Sequence, residues 1–370
     1  MSFPVWAEVD IGALNHNLRE VRRLVGPSKI MAVVKANAYG HGLVQVARAL
    51  AAGGADWLGV ARGSEAIELR HHGVTAPILV LGYVHSDECR QLLAEEVSFT
   101  VYEKELAKEF AGKARQEKKA LRVHVKVDTG MGRLGFPCNV SGVKAVLSVA
   151  RFPGVEIEGL FTHFACADEP DERKTLRQLE RFLDFARELE KRGLTVRYKH
   201  AANSAAIIRL PQTRLDMVRP GIVLYGLYPS PETCSGPDLL PVMSLKARVV
   251  QVKRVRKGFP VSYGWTYRTR ANAVLATVAV GYGDGYSRLL SGKGEVLIGG
   301  VRVPVVGRVC MDQIIVEATE VAGVQPGDEV VLFGRQGGNS IPVEEIANKI
   351  GTINYEVVCS VSARVPRVYL

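Results

Sequence analysis

Apolar and polar positions over the first two thirds of the chain form short apolar runs, each followed by an amphipathic segment. Apolar runs of about four to seven residues indicate buried strands, and apolar positions at steps of three and four indicate helices. The predicted strands cover 30–34, 56–60, 77–81, 98–101, 121–127, 155–161, 196–200 and 215–218. Eight strands that alternate with helices are typical of a (β/α)8 barrel, and a doubly wound open sheet is the competing architecture.

The helices between these strands also have recognisable boundaries. Asp10 and Ser64 are expected to cap helices, and Gly193 follows the longest one. The predicted helices cover 11–25, 43–50, 64–72, 87–96, 103–117, 141–149, 171–192 and 204–209.

The pattern changes near residue 228. Four prolines and Gly236 fall within 228–241, which is typical of a domain junction. Beyond it the helical period is lost except at 342–350, and Gly299-Gly300 separates two apolar runs as a hairpin turn. The sequence therefore predicts an α/β barrel over 1–235 and a mostly antiparallel β domain over 236–370.

Composition narrows the possible functions. The net charge is +10, without an aromatic-interleaved basic patch, so small anions are expected as ligands rather than nucleic acid. The sequence begins without a signal peptide, and its longest low-charge stretch is too short to span a membrane. Six cysteines without a C-x-x-C pair predict free thiols of a cytoplasmic protein and no metal site.

Several polar residues are predicted at the carboxyl ends of barrel strands, where the reactive groups of this fold lie. Lys35 ends the first barrel strand and is followed by turn-forming residues; a buried, neutral amine there would be a nucleophile for an aldehyde. Arg133, His163 and Arg219 follow other strands. Taken singly, each of the four also has an ordinary structural interpretation, as a snorkelling lysine, a core histidine or a rim salt bridge.

A phosphate site is expected after the last two strands. Ser204 offers a hydroxyl beside Asn203, and Gly221 and Ile222 offer backbone N–H groups at a helix start. Gly130–Gly135 also matches G-x-G-x-x-G, which leaves a dinucleotide-binding dehydrogenase as an alternative, although Pro137 follows at once.

Eight segments spread along the chain carry a family resemblance. They are VVKANAYGHG, VKVDTGMGRLGF, GLFTHFACAD, HAANSAA, MVRPGIVLYG, VSYGWTY, VGRVCMDQ and VSARVPRVY. Together, and in this order, they resemble the bacterial alanine racemases from near residue 6 to the end of the chain. The resemblance implies a barrel followed by a β domain, a strand near 5–9 that returns to the β domain, and pyridoxal 5′-phosphate as cofactor.

The resemblance also implies roles for individual residues. Lys35 is the lysine that carries the cofactor, and Tyr263, from the partner subunit of a homodimer with shared active sites, is the second base. Arg219 faces the pyridine nitrogen, His163 contacts Tyr263, and Arg133 binds the substrate carboxylate. The Met311 N–H also binds the substrate carboxylate, Lys126, which is carbamylated in some members, supports Arg133, and Tyr282 narrows the entrance. The residues implied in phosphate binding are Tyr39, Ser204, Gly221, Ile222 and Tyr355, beside Asn203.

These residue types suit racemisation of alanine, which would supply D-alanine for peptidoglycan. Two bases on opposite faces, Lys35 and Tyr263, can remove and replace the α-proton. Keeping a tyrosine ionised at pH 7 costs about 4 kcal/mol unless cations such as Arg219, Arg133 and protonated His163 favour the anion. The alternatives are a broad-spectrum or serine racemase and a pyridoxal-phosphate carrier protein, although carriers lack the β domain.

Overall fold

The computed structural model describes residues 3–234 and 236–370. They divide into two compact units. The β unit takes the residues from Pro241 onward, the amino-terminal residues up to Gly12, and the segment Tyr39–Gly42. The barrel unit takes Ala13–Ala38 and Leu43–Leu240. No helix among the described residues is long and apolar enough to cross a membrane.

The strands in chain order are β1 Val5–Val9, β2 Lys29–Val33, β3 Trp57–Val60, β4 Ile78–Val80, β5 Ser98–Val101, β6 Leu121–Asp128, β7 Phe136–Pro137, β8 Val155–Phe161, β9 Tyr198–His200, β10 Met217–Val218, β11 Met243–Val255, β12 Pro260–Val261, β13 Tyr267–Arg268, β14 Ala273–Val278, β15 Glu295–Ile298, β16 Val301–Pro304, β17 Ile314–Glu317, β18 Glu329–Gln336, β19 Asn339–Ile341 and β20 Arg367–Tyr369. The right-handed α-helices are α1 Ile11–Val25, α2 Leu43–Ala52, α3 Gly63–His71, α4 Cys89–Ala94, α5 Lys104–Gln116, α6 Val140–Val149, α7 Arg173–Lys191, α8 Ser204–Arg209, α9 Val343–Ile350 and α10 Asn354–Cys359.

Eight parallel strands close into a barrel, which confirms the predicted fold class. Their order is β5-β4-β3-β2-β10-β9-β8-β6, and pairing of β5 with β6 closes the ring. At the closure Phe99 lies opposite Val123 and Val101 opposite Val125. Closure leaves no open edge within the ring, so the competing open sheet is wrong.

The helices pack through apolar stripes that the sequence pattern shows. Helix α2 buries Leu43, Val46, Ala47 and Leu50, each at most 3% exposed. Full burial of side chains of the Val or Leu type contributes roughly 1.5–3 kcal/mol each. These four apolar positions, at steps of three, one and three, form the stripe that packs the helix against the barrel.

One predicted helix cap is wrong. Ser64 lies inside α3, whose N-cap is Arg62. The Glu65 carboxylate accepts hydrogen bonds from the N–H groups of Ala61 at 2.8 Å and Arg62 at 3.2 Å. A carboxylate that turns back in this way satisfies N–H groups at the helix start, so the Ser64 hydroxyl is not needed as a cap.

The β unit is built on a mostly antiparallel sheet with the order β16-β15-β18-β11-β1-β20. Strand β1 pairs antiparallel with β11 and parallel with β20, so the amino-terminal strand lies in the sheet of the carboxyl-terminal residues. Gly299 and Gly300 join β15 to β16 with φ values of 58° and 77°, and Ile298 pairs with Val301. Two positive φ values in a two-residue hairpin loop are those of a type I′ turn, which favours glycine.

Candidate active site

Lys35 lies two residues after the end of β2, next to the buried Val34, and begins an unusual turn. Ala36, Asn37, Ala38 and Tyr39 all have φ between 52° and 55°. A left-handed conformation costs a non-glycine residue roughly 1–2 kcal/mol. The Asn37 side chain accepts a hydrogen bond from the Leu43 N–H at 2.8 Å, which helps to hold the turn. The sequence indicated a turn here, but it did not indicate that alanines adopt this conformation. Strain of this kind is concentrated at functional sites.

Arg219 lies inside the barrel unit and is 4% exposed. Its Nη2 donates to the carbonyl oxygens of Thr162 at 2.6 Å and Ala201 at 2.9 Å, and its Nη1 lies 2.8 Å from Nδ1 of His200. Burial lowers the pKa of Arg219 to about 9. The guanidinium is therefore still a cation at neutral pH, and these three contacts fix its plane.

Lys126 is a second buried cation in the same region, with 5% of its surface exposed. Burial first, and then the charges of Arg219 and Arg133, lower the pKa of Lys126 to about 7. The Lys126 Nζ and the Arg219 Cζ each lie 5.3 Å from the centroid of the Phe161 ring. Within 3–234 and 236–370, neither cation forms an ion pair with a carboxylate. The region therefore carries excess positive charge.

His163 joins this cationic group, with its Nδ1 3.4 Å from Nη2 of Arg219. Burial and then the positive charges of Arg219, Lys126, Arg133 and Lys35 hold the pKa of His163 well below its usual value. The structure thus brings together all five of these predicted site residues. The structure differs from the sequence-based prediction in one respect. The His163 imidazole is neutral near pH 7 and adds no positive charge.

The predicted phosphate loops are adjacent, but their hydrogen bonds differ from expectation. The Asn203 side chain accepts from the Ala206 N–H at 3.1 Å and caps α8. The Gly221 N–H, which the sequence interpretation treated as free, donates to the Ser204 hydroxyl at 2.9 Å. Ile222 then begins a 3-10 turn, Ile222–Tyr225. The two loops form one small polar corner at the start of short helices.

The β unit holds the other predicted site residues. Tyr263, Met311 and Tyr282 are 68%, 54% and 43% exposed. The Tyr282 N–H donates to the Cys310 carbonyl at 3.0 Å, and the Gly283 N–H donates to the Met311 carbonyl at 2.8 Å. Tyr282 and Met311 therefore lie on neighbouring loops. Their exposure leaves the side chains accessible to a ligand or another chain.

Tyr39 and Tyr355 form a separate pair in the β unit. Their ring centroids are 6.2 Å apart. Burial raises the pKa of Tyr39 well above its usual value, so the Tyr39 hydroxyl stays protonated and can donate a hydrogen bond.

The G-x-G-x-x-G segment has a local role. Asp128 accepts hydrogen bonds from the N–H groups of Gly130 and Met131, both at 2.9 Å, and of Gly132 at 3.1 Å. These N–H groups are the ones that a dinucleotide pyrophosphate would need. The segment is a loop that the preceding strand holds through one carboxylate, so it does not support a dehydrogenase.

Two buried histidines without a predicted role, His124 and His200, are also present, and both are fully inaccessible. A signal for His124 was present, since β6 alternates apolar residues with Arg122, His124 and Lys126. In a barrel strand surrounded by helices, one face points to the interior. A run of polar residues on one face of a buried strand therefore indicates a polar barrel interior.

Comparison with known proteins agrees with this arrangement. The alanine racemase N-terminal domain profile matches residues 9–229, and the C-terminal domain profile matches 242–369. An alanine racemase of Desulforamulus reducens is 50% identical, with 100% of each chain covered. The structure of an alanine racemase from Clostridium difficile 630 has a TM-score of 0.96 at 41% identity and covers 100% of this chain and 96% of that one.

A more distant structure, a histidine racemase from Leuconostoc mesenteroides, has a TM-score of 0.92 at 31% identity, and the match covers 99% of this chain and 98% of that one. The same architecture therefore occurs in racemases named for different amino acids. Because both domain profiles match and the identity to a curated relative reaches 50% over the full length, the chain belongs to the alanine racemase family of amino-acid isomerases.

Proposed function

We propose that this protein is an alanine racemase that interconverts L-alanine and D-alanine with pyridoxal 5′-phosphate. The observation that carries the proposal is a pair of buried basic residues, Arg219, which is charged at neutral pH, and Lys126, which is charged only as the pH falls below about 7; neither forms an ion pair with a carboxylate among the described residues. Buried charges without counter-ions are costly. An anionic cofactor and the carboxylate of an amino acid would supply the missing negative charge near Lys35.

The residues of the barrel unit fit this cofactor. Members of the alanine racemase family depend on pyridoxal phosphate. Lys35 would carry the cofactor on its amine, and the polar corner of Ser204, Gly221 and Ile222 would hold the phosphate with the Asn203-capped helix beside it. Tyr39 and Tyr355 are proposed to complete the phosphate site. When bound, the cofactor serves as an electron sink that makes the α-proton of an amino acid removable.

Arg219 sets how strong that electron sink is. A guanidinium has donors only, so a pyridine nitrogen that faces it must accept a hydrogen bond and stay unprotonated. An unprotonated ring withdraws electrons less strongly, which disfavours long-lived carbanions that would lead to transamination. An arginine at position 219 therefore favours racemisation over decarboxylation or amino transfer.

Two bases would move the α-proton. Lys35 would act on one face of the substrate and Tyr263 of a second subunit on the other, in a homodimer with shared active sites. Arg133, supported by Lys126, and the Met311 N–H would bind the substrate carboxylate. His163, a neutral imidazole whose Nδ1 faces the Arg219 guanidinium, would donate a hydrogen bond from its Nε2–H to the Tyr263 oxygen, and Arg219 behind it would provide the positive charge.

The surroundings of the site and the thiols suggest where the protein works. Tyr282 is proposed to narrow the entrance, so that a small side chain such as that of alanine enters most easily. All six cysteines are free thiols, the state that a reducing compartment maintains, which supports a cytoplasmic location. In that compartment the product D-alanine would be available for peptidoglycan synthesis.

Circular dichroism of an L-alanine solution tests the proposal. With enzyme and pyridoxal phosphate, the optical signal is expected to decay to zero, and Lys35→Ala is expected to abolish the decay. Tyr263→Phe is expected to slow proton removal from L-alanine far more than from D-alanine. Tyr267→Phe is the control, because Tyr267 lies on the neighbouring strand β13 and its hydroxyl donates to Glu317. Equal slowing of α-proton loss from the two enantiomers, measured as exchange with solvent deuterium, would contradict the two-base assignment, and a protein that binds no pyridoxal phosphate would rule out the racemase.

A broad-spectrum racemase is the second candidate, because a histidine racemase shares the architecture at 31% identity. A panel of L-alanine, L-serine and L-histidine separates the two candidates. A strict alanine racemase shows kcat/KM for alanine at least about a hundredfold above the others, as expected when larger side chains are excluded sterically. Comparable values would favour the broad-spectrum enzyme.

A further inference from the structure

A buried chain of hydrogen bonds runs from Arg219 into the barrel interior. Nη1 of Arg219 lies 2.8 Å from Nδ1 of His200, and Nε2 of His200 lies 2.8 Å from Nδ1 of His124. His200 is on β9 and His124 on β6, with β8 between them. Gly159 of β8 leaves the space, because a Cβ there would lie 2.3 Å from Nδ1 of His124. Any larger residue at 159 would displace the imidazole.

The direction of these hydrogen bonds is determined by chemistry. A guanidinium can only donate, so Nδ1 of His200 accepts and its proton is on Nε2. His200 therefore donates to Nδ1 of His124, whose proton must also be on Nε2. That N–H has no hydrogen-bond partner within the described ranges and lies 3.9 Å from the Glu158 carboxylate, which accepts from the Ser98 hydroxyl at 2.7 Å. Neither imidazole can gain a proton without breaking a bond of the chain.

We propose that His200 and His124 are positioning residues for Arg219, both fixed as neutral Nε2–H tautomers, with the Glu158 carboxylate stabilising the far end. His200 holds Nη1 while the carbonyl oxygens of Thr162 and Ala201 hold Nη2, so the guanidinium has a single orientation. The catalytic consequence rests on the proposed function, in which Arg219 faces the cofactor. The tautomers themselves do not depend on it.

Nitrogen-15 NMR of the imidazole rings tests the tautomers directly. The chain has eight histidines, so the spectrum is small enough to assign with single substitutions. We expect His124 and His200 to show a protonated Nε2 and an unprotonated Nδ1, both with and without pyridoxal phosphate. A protonated Nδ1 on either ring, or an imidazolium, would overturn the proposal even in an active racemase.

A pair of substitutions at His124 tests the positioning role. His124→Leu removes the acceptor for His200, and His124→Gln can supply an amide oxygen in its place. We expect the leucine variant to lose the single tautomer of His200, to change the absorbance spectrum of the bound cofactor and to lose roughly tenfold in kcat with KM for alanine little changed. The glutamine variant should retain the His200 signal and most of kcat.

The control is His16→Leu, which removes a surface imidazole bonded to the Asp238 carbonyl and should alter none of these readouts. Identical behaviour of the leucine and glutamine variants would contradict the positioning role. Glu158→Gln is a milder variant that keeps the chain intact and should shift only the His124 resonances. If neither the wild type nor any variant racemises alanine but the tautomers are as stated, the proposed function is wrong and the assigned tautomers remain valid.

Discussion

Replacing Lys126 with methionine should change how the stability of the protein depends on pH. The pKa of Lys126 is about 7 in the folded protein and near 10.5 in an unfolded chain. Between these values the unfolded chain binds the proton and the folded protein does not, so stability rises with pH. A difference of about 3.5 in pKa, at about 1.4 kcal/mol each, corresponds to about 5 kcal/mol of destabilisation at pH 7 and below.

Methionine has a similar length and no charge, so Lys126→Met removes this cost. We expect the variant to be more stable than the wild type by several kcal/mol at pH 7, and the difference to approach zero near pH 10.5. Urea unfolding at a series of pH values between 6.5 and 10, roughly the range over which the charge changes, measures it. Bicarbonate-free buffer keeps the Lys126 amine unmodified, and equal protein concentration keeps any subunit association the same.

Lys119→Met is the matched control, because Lys119 is exposed. Its stability should differ from the wild type by a constant small amount at every pH. A difference between Lys126→Met and the wild type that is equally constant would show that the Lys126 amine is not disfavoured by burial. The interior of the barrel would then carry no excess positive charge at Lys126.

Three further substitutions test other parts of the structure. Hydrogen bonding to Arg302 above all lowers the pKa of Glu345 to about 2. Glu345→Gln should therefore lower the free energy of unfolding by about 1–2 kcal/mol at pH 7. In acid-unfolding experiments the difference between the wild type and this variant should disappear as the pH falls from 4.5 towards 2. Gly300→Ala places a side chain at φ 77° and should lower stability by about 1–2 kcal/mol in urea, whereas Gly338→Ala, with open space around it, should not. Asn203→Ala removes the cap of α8, which should cost about 1 kcal/mol and weaken pyridoxal phosphate binding in a fluorescence titration.

The sequence alone determined the barrel, because its signal is local. Helix α2 buries the four positions that its spacing marks, and β8 has the predicted bounds Val155–Phe161. The Gly299-Gly300 turn followed from composition in the same way. Such features depend on residues within a few positions of one another, so a single sequence contains the information.

The sequence also located part of the candidate site. The rule for strand ends selected Lys35, Arg133, His163 and Arg219, and these lie close enough to influence one another's charge. The roles of Tyr263, Met311 and Tyr355 came from family resemblance and stay predictions. No local pattern could assign them, since each proposed role depends on residues distant in the chain.

Tertiary structure decided the rest. The left-handed turn after Lys35, the neutral state of His163 and the occupation of the Gly221 N–H by Ser204 all depend on partners from other elements. The tautomers of His200 and His124 depend on a guanidinium whose residue is 19 positions away from His200 and on a glycine in the strand between them. A sequence specifies which residues can donate and accept, but only the folded chain determines which of them meet.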